Sequence, residues 1–310
     1  MRRLPARISR TIACAAALAL AGCVAPSAPP PVHEAQQAVV QPVPAPAPRP
    51  APAPAGPTTF VYSGELTQGG WIRGQAPAGT VSARLGEQPL VLDGEGRFFA
   101  AFDRDAGPSA TLAAQLADGR TIESPLTISP RQWNIERVNV PRRPGGATEA
   151  FMRIRRPELE RIAAARAIES PVAGWKQDFI WPARGRISGR FGSQRIYRGG
   201  EAGSYHSGID IATGESGTPF VAPADGVVVL AAETPLSLEG HLLIIDHGAG
   251  LNSAFLHCSK LAVKEGDVVR QGQYVGNIGA TGRATGPHLH WGLMWRGSRL
   301  DPLLFTGPMN

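Results

Sequence analysis

Between about residues 58 and 140 apolar and polar residues alternate with the two-residue period of half-buried β-strands. The stretches VSARLG, PLVL followed by RFFAAF, and ATLAAQLADGRTIESPLTI read as successive strands, with turns at Asp93-Gly94 and Asp118-Gly119. Short strands at this spacing predict a small β-sandwich of immunoglobulin-like type. A helical period follows within a connector over 141–177: PELERIAAARAIE opens with Pro157, and Leu159, Ile162 and Ala163 share one face, which predicts a helix starting at the proline. Alternation returns in the last domain, 178–310. There Ile209 and Ile211 flank Asp210, so the carboxylate leaves the face that the isoleucines bury. In HLHWGLMW, Leu289 and Trp291 take one face of a strand and His288 and His290 the other. Glycine-rich stretches such as GRISGRFGS and GNIGATGRATG supply the tight turns of an all-β fold. The chain as a whole reads as mainly β.

The start of the chain sets the compartment. Arg2, Arg3, Arg7 and Arg10 precede an apolar run too short to span a bilayer, the form of a secretory signal over residues 1–22. Leu20, Ala21, Gly22 and Cys23 resemble a bacterial lipobox, which predicts cleavage before Cys23 and acylation of its sulfur. Residues 23–57 then form a lipidated cysteine and a linker rich in proline and alanine, which cannot build a core. At about 3.1 Å per residue in polyproline II it reaches on the order of 100 Å, far enough to present an enzyme to a crosslinked wall.

Charge adds little. The chain holds 31 Lys+Arg against 25 Asp+Glu, and loss of the four signal arginines leaves 27 against 25, about +2, so the composition gives no reason to expect nucleic acid. With Cys14 removed and Cys23 acylated, only Cys258 remains, and no disulfide framework is available. Stability must come from packed cores, which the sequence divides between two domains.

The chemistry lies in the last third. His206 and Asp210 stand in YHSGIDIA, His257 in SAFLHCS, and His288 and His290 in GPHLHW. Two histidines and a carboxylate make a three-donor set that leaves the fourth tetrahedral position of zinc open, the mark of a catalytic site. Zinc so held acidifies water and polarises a carbonyl. With no H-E-x-x-H in the chain, the remaining histidines must handle protons. His241 and His247 flank LLIID and read as surface or turn residues. Asp246 beside His247 lacks the G-x-S-x-G of a serine hydrolase, and Cys258, next to His257, reads as a small buried residue.

Residues from about 180 to 305, two-fifths of the chain, resemble the M23 family of LytM and lysostaphin-type zinc endopeptidases, which cut peptidoglycan peptides. The resemblance rests on H-x-x-x-D, H-x-H, WPARGRISGRFG, GTPFVAPADGVVV, IIDHGAG and GDVVRQGQYVGNIGATGRATGPHLHW, in the family's order. It implies an antiparallel sheet carrying the site on its concave face, zinc held by His206, Asp210 and His290, and His257 and His288 as the catalytic pair. The order of roles between those two stays open. FLHCS departs slightly from the family pattern but keeps the histidine. The reading that follows is a zinc peptidoglycan endopeptidase anchored in the cell envelope, on the periplasm-facing outer membrane of a Gram-negative bacterium, with residues 58–140 as a spacer or a surface for an envelope partner. The alternative is a non-enzymatic activator or binding module that regulates other wall hydrolases.

Overall fold

Seven strands arise from the first alternating region: β1 (Val61–Gly64), β2 (Trp71–Gln75), β3 (Thr80–Leu85), β4 (Gln88–Pro89), β5 (Arg97–Ala101), β6 (Ser109–Leu116) and β7 (Thr121–Thr127). This computed structural model describes residues 56–141 and 148–309; the secretory segment, Cys23 and nearly all of the linker lie outside them. The strands form a three-stranded sheet, β1-β2-β5, and a four-stranded sheet, β4-β3-β6-β7, and Ile72, Phe98, Leu112 and Leu126 are buried from both. Asp118-Gly119 closes the β6–β7 hairpin as its sequence predicts, with Leu116 N–H donating to the Arg120 carbonyl at 2.8 Å and Gly119 at φ 87°. Asp93-Gly94 behaves differently. Asp93 Oδ1 accepts the N–H groups of Glu95 and Arg97, yet β4 pairs with β3 and β5 pairs with β2, so this turn carries the chain from one sheet to the other.

The connector holds helix α1 (Glu149–Arg166), which corrects the expected start at Pro157. Thr148 supplies the N-cap, its hydroxyl accepting Phe151 N–H at 3.1 Å, and Pro157 sits inside the helix, two turns on. The buried positions are Arg155, Ile162 and Ala165; Leu159 and Ala163 are exposed. Proline at N1 is a preference and not a rule, and the cap nine residues earlier decides the start. No helix among the described residues is long and apolar enough to cross a membrane.

The remaining strands are β8 (Ile135–Arg137), β9 (Arg186–Gly189), β10 (Gln194–Ile196), β11 (Ile209–Ala212), β12 (Pro219–Val221), β13 (Gly226–Ala231) and β14 (His241–Asp246). They continue with β15 (Leu251–Cys258), β16 (Lys260–Leu261), β17 (Val268–Val269), β18 (Tyr274–Asn277), β19 (Leu289–Trp295) and β20 (Ser298–Leu300). An antiparallel sheet runs β17-β13-β14-β15-β19-β11-β9 with β20 on β19, and β12-β18-β16 form a smaller one. Behind the main sheet Trp291, fully buried, stacks on Phe255 at 6.5 Å and meets Trp181 edge-on at 6.4 Å.

The core does not stop at a domain border. Phe99 of β5 packs against Trp71, Trp295 and Phe305 with centroids 6.2–6.3 Å apart, and Trp71 Nε1–H donates to the Leu304 carbonyl. Arg131 reaches the buried Asp301 at 2.8 Å, and Lys176 pairs with Asp93. One apolar cluster therefore joins both strand regions, where the sequence divides the core in two.

Candidate metal centre

Strand register brings two of the five residues face to face: Asp210 of β11 stands directly opposite His290 of β19, on the side away from the buried Ile209, Ile211, Leu289 and Trp291. His206 comes from the turn before β11. Gly208 makes that turn fit, since a Cβ there would lie 2.3 Å from the Trp291 carbonyl oxygen. His206 Nδ1 lies 3.2 Å from the Arg190 carbonyl and donates to it, which turns Nε2 toward Asp210 and His290.

His206 Nε2, Asp210 Oδ1 and His290 Nδ1 form a triangle with sides of 3.1, 3.0 and 3.1 Å. Donor atoms about 2.0–2.1 Å from a tetrahedral ion lie about 3.3 Å apart, so this triangle is within a few tenths of an ångström of one face of a zinc tetrahedron. Two nitrogens and one carboxylate oxygen suit zinc. Among the described residues, no other group of histidine, cysteine or acidic side chains converges in this way.

Electrostatics favours the metal-binding forms of two of the three. Burial opposes the charge on Asp210, but hydrogen bonds from His206 and His290 outweigh it and hold the carboxyl well below the usual range. Burial lowers His290, keeping it neutral. For His206 the Asp210 carboxylate outweighs burial and raises the pKa, so metal binding there displaces a proton.

His257 closes β15 at φ 65°, a left-handed conformation that costs about 1–3 kcal/mol outside glycine. The break in alternation lets its ring face His288, 4.9 Å away between centroids, while Cys258 stays buried with its thiol pushed up to about 12 by desolvation. His257 Nδ1 lies 2.8 Å from the Thr281 carbonyl, and His288 Nδ1 lies 2.8 Å from that of Gly286. Each must donate, so each keeps Nε2 as a free acceptor. His288 Nε2 is 3.7 Å from Asp210 Oδ1. Burial lowers His257, which keeps its imidazole neutral at pH 7. All five predicted residues thus gather around one cleft of about 350 Å³, together with Glu239, Arg283 and Thr285.

A larger opening of about 840 Å³ adjoins it, sharing His206, Asp210 and Arg283 and extending over Asn134, Glu136 and Arg195. Asn134 and Glu136 lie some sixty residues before β10, and β8 joins β10 in parallel to place them there. Buried Arg104 braces the same wall through the Gly192 carbonyl and Gln194 Oε1, both at 3.1 Å. No local pattern announces these wall residues. Arg283, by contrast, lies within the glycine-rich stretch that precedes GPHLHW.

His247 is not a surface residue: it is fully buried, and desolvation pulls its pKa down to about 4. Its Nδ1 donates to the Asp225 carbonyl and its Nε2 accepts from Ser253 Oγ at 2.7 Å. That serine–histidine pair has hydrolase-like spacing but no access, and Trp291 Nε1 donates to the same hydroxyl at 3.3 Å. His241 donates from Nδ1 to the Ala232 carbonyl at 3.0 Å, a structural role.

Residues 204–302 match the model of peptidase family M23. The peptidoglycan DD-endopeptidase ShyA of Vibrio cholerae is 39% identical over 124 residues, 40% of this chain and 28% of that protein. The murein hydrolase activator NlpD of Salmonella typhimurium is 33% identical over 143 residues, 46% of this chain and 34% of that protein. The match therefore spans only about a third of either relative. A crystal structure of a candidate peptidase M23 from Pseudomonas aeruginosa is 28% identical, with a TM-score of 0.58 over 77% of this chain and 94% of that one. Residues 204–302 of this chain therefore carry a domain similar to peptidase family M23 in its matched sequence, its motifs and its antiparallel β architecture.

Proposed function

We propose that this chain is a zinc-dependent endopeptidase that hydrolyses amide bonds in the stem peptides or crosslinks of peptidoglycan. The donor triangle of His206, Asp210 and His290 carries this reading, with the two free Nε2 atoms beside it. Zinc held there would supply Lewis acidity toward a carbonyl and a more acidic water. The chain's own residues do the rest. Nε2 of His257 or His288 takes a proton from the attacking water and returns it to the leaving amine nitrogen, and Nδ1 of each, tied to a backbone carbonyl, fixes the ring for that exchange. The open cleft, continuous with the wall built by Asn134 and Glu136, suits a peptide held within a polymer. ShyA bears the name of that activity.

The likeness to NlpD favours a second reading, an activator of other wall hydrolases. An activator needs neither the full donor triangle nor two oriented bases, so their presence supports the enzyme. The lipobox at Cys23 and the proline- and alanine-rich linker sequence support an envelope lipoprotein facing the periplasm from the outer membrane, and residues 58–140 offer a surface to an envelope partner. Incubating the mature protein with defined wall fragments and weighing the products tests the reading: cleaved amide bonds that disappear with chelator support it, and intact fragments with zinc bound favour the activator.

A further inference from the structure

Helix α1 turns one face toward the sheet beside the metal site, and that face carries Arg155, Leu159, Ile162 and Arg166 at spacings of four, three and four. Together with β14, β15, β19 and β20 it encloses a cavity of about 170 Å³. His290 and Ser207 line both this cavity and the metal cleft.

Three arginines line the cavity, and only one is neutralised. Arg155 holds Glu239 through both terminal nitrogens at 2.6 Å and Glu158 at 2.9 Å. Arg166 donates only to Met294 Sδ at 3.4 Å, and its buried Nε has no partner. Arg299, directly opposite Met294 in the β19–β20 register, lies over the Tyr205 ring. Among the described residues no carboxylate pairs with Arg166 or Arg299. Two like charges meet in a partly desolvated recess, and burial, reinforced by Arg299, pulls Arg166 down to about 10, the Glu239 carboxylate that Arg155 holds offsetting this only in part. Such an arrangement is unfavourable until an anion enters. Leu242, Ala254, Leu256 and Leu293 add hydrocarbon to the lining, which suits an anion with an apolar body better than a fully hydrated one.

We propose that this cavity is a carboxylate-binding site, in which Arg166 and Arg299 clamp the carboxylate of a small organic acid or a peptide C-terminus while its apolar body rests on the leucines. The site is one wall away from the proposed metal centre, and its existence does not depend on the peptidase reading.

Calorimetric titration of the full chain with N-acetylalanine, N-acetylalaninamide and inorganic phosphate tests it. Saturable binding of the acid and not of the amide is expected. A hydrogen bond to a charged group is worth about 1.5–3 kcal/mol, so Arg166→Gln and Arg299→Gln should each weaken the acid by about tenfold or more. Because Arg166 forms no ion pair with a carboxylate, Arg166→Gln should melt no lower than the wild type without added anion; a marked drop would overturn the premise. Equal binding of acid and amide, unchanged affinity in both variants, or binding of phosphate alone would overturn the assignment. Arg299→Gln gives a second reading should the first variant fold poorly.

Discussion

Gly189 offers a way to disturb the metal centre without touching a ligand. It lies opposite Asp210 in the β9–β11 pairing, and a Cβ added there would stand 2.2 Å from Asp210 Oδ2, 2.8 Å from its Cγ and 3.0 Å from His206 Cε1. Approaches under 3.0 Å essentially do not occur, so the carboxylate must retreat by at least 0.8 Å. Ligand distances in a zinc site tolerate only about 0.2 Å. Gly189 lies outside the positive-φ region, so alanine meets no backbone strain and by chain entropy alone would add about 0.4–1 kcal/mol of stability. Gly189→Ala should therefore weaken zinc by about 10–100-fold, the usual effect of disturbing a ligand's support. The zinc-free protein should keep a melting temperature close to the wild type's. Competition against a chromophoric chelator gives the affinity, and thermal melting with excess chelator gives the control. A variant with wild-type zinc affinity would show that the packing of Gly189 against Asp210 does not hold the ligand in place.

His247 should make stability fall in acid. Its folded pKa of about 4 lies below the ordinary 6.5, so the unfolded chain binds the proton first; the contribution is complete above about pH 6.5 and lost as pH falls through 4, on the order of 3 kcal/mol. Urea midpoints between pH 7 and pH 4 should drop more steeply in the wild type than in His247→Gln, and parallel slopes would count against this origin. Phe99→Ala should cost about 3–5 kcal/mol and lower one shared calorimetric transition, because the core is continuous; two separate transitions would contradict that. Cys23→Ser should release the protein from the membrane fraction, and retention there would end the lipobox reading.

The site was legible because its chemistry is local. H-x-x-x-D and H-x-H place their donors within four residues, and strand alternation around Asp210 and His290 decides which side they face. His257 was found by motif alone, since its left-handed backbone breaks the alternation that would otherwise orient it. His247 was misread because a histidine at the end of an apolar run looks the same in sequence whether it meets water or, as here, a carbonyl and a serine. The helix start was missed because a proline at N1 and one in the interior are identical in one dimension, and Thr148 was the better signal. The groove wall around Asn134 and the shared core through Phe99 depend on pairing and packing between distant segments, which no local period encodes.

The proposed chemistry divides its labour among five side chains, and zinc content measured beside wall-peptide cleavage in five single alanine variants separates their roles. His206→Ala, Asp210→Ala and His290→Ala should lose zinc and activity together. His257→Ala and His288→Ala should keep most of their zinc while cleavage falls by about 10²-fold or more. Loss of zinc from His288→Ala with retention in His290→Ala would reverse the roles within HLH, and full cleavage by all five variants would contradict a zinc-dependent peptidase at this site.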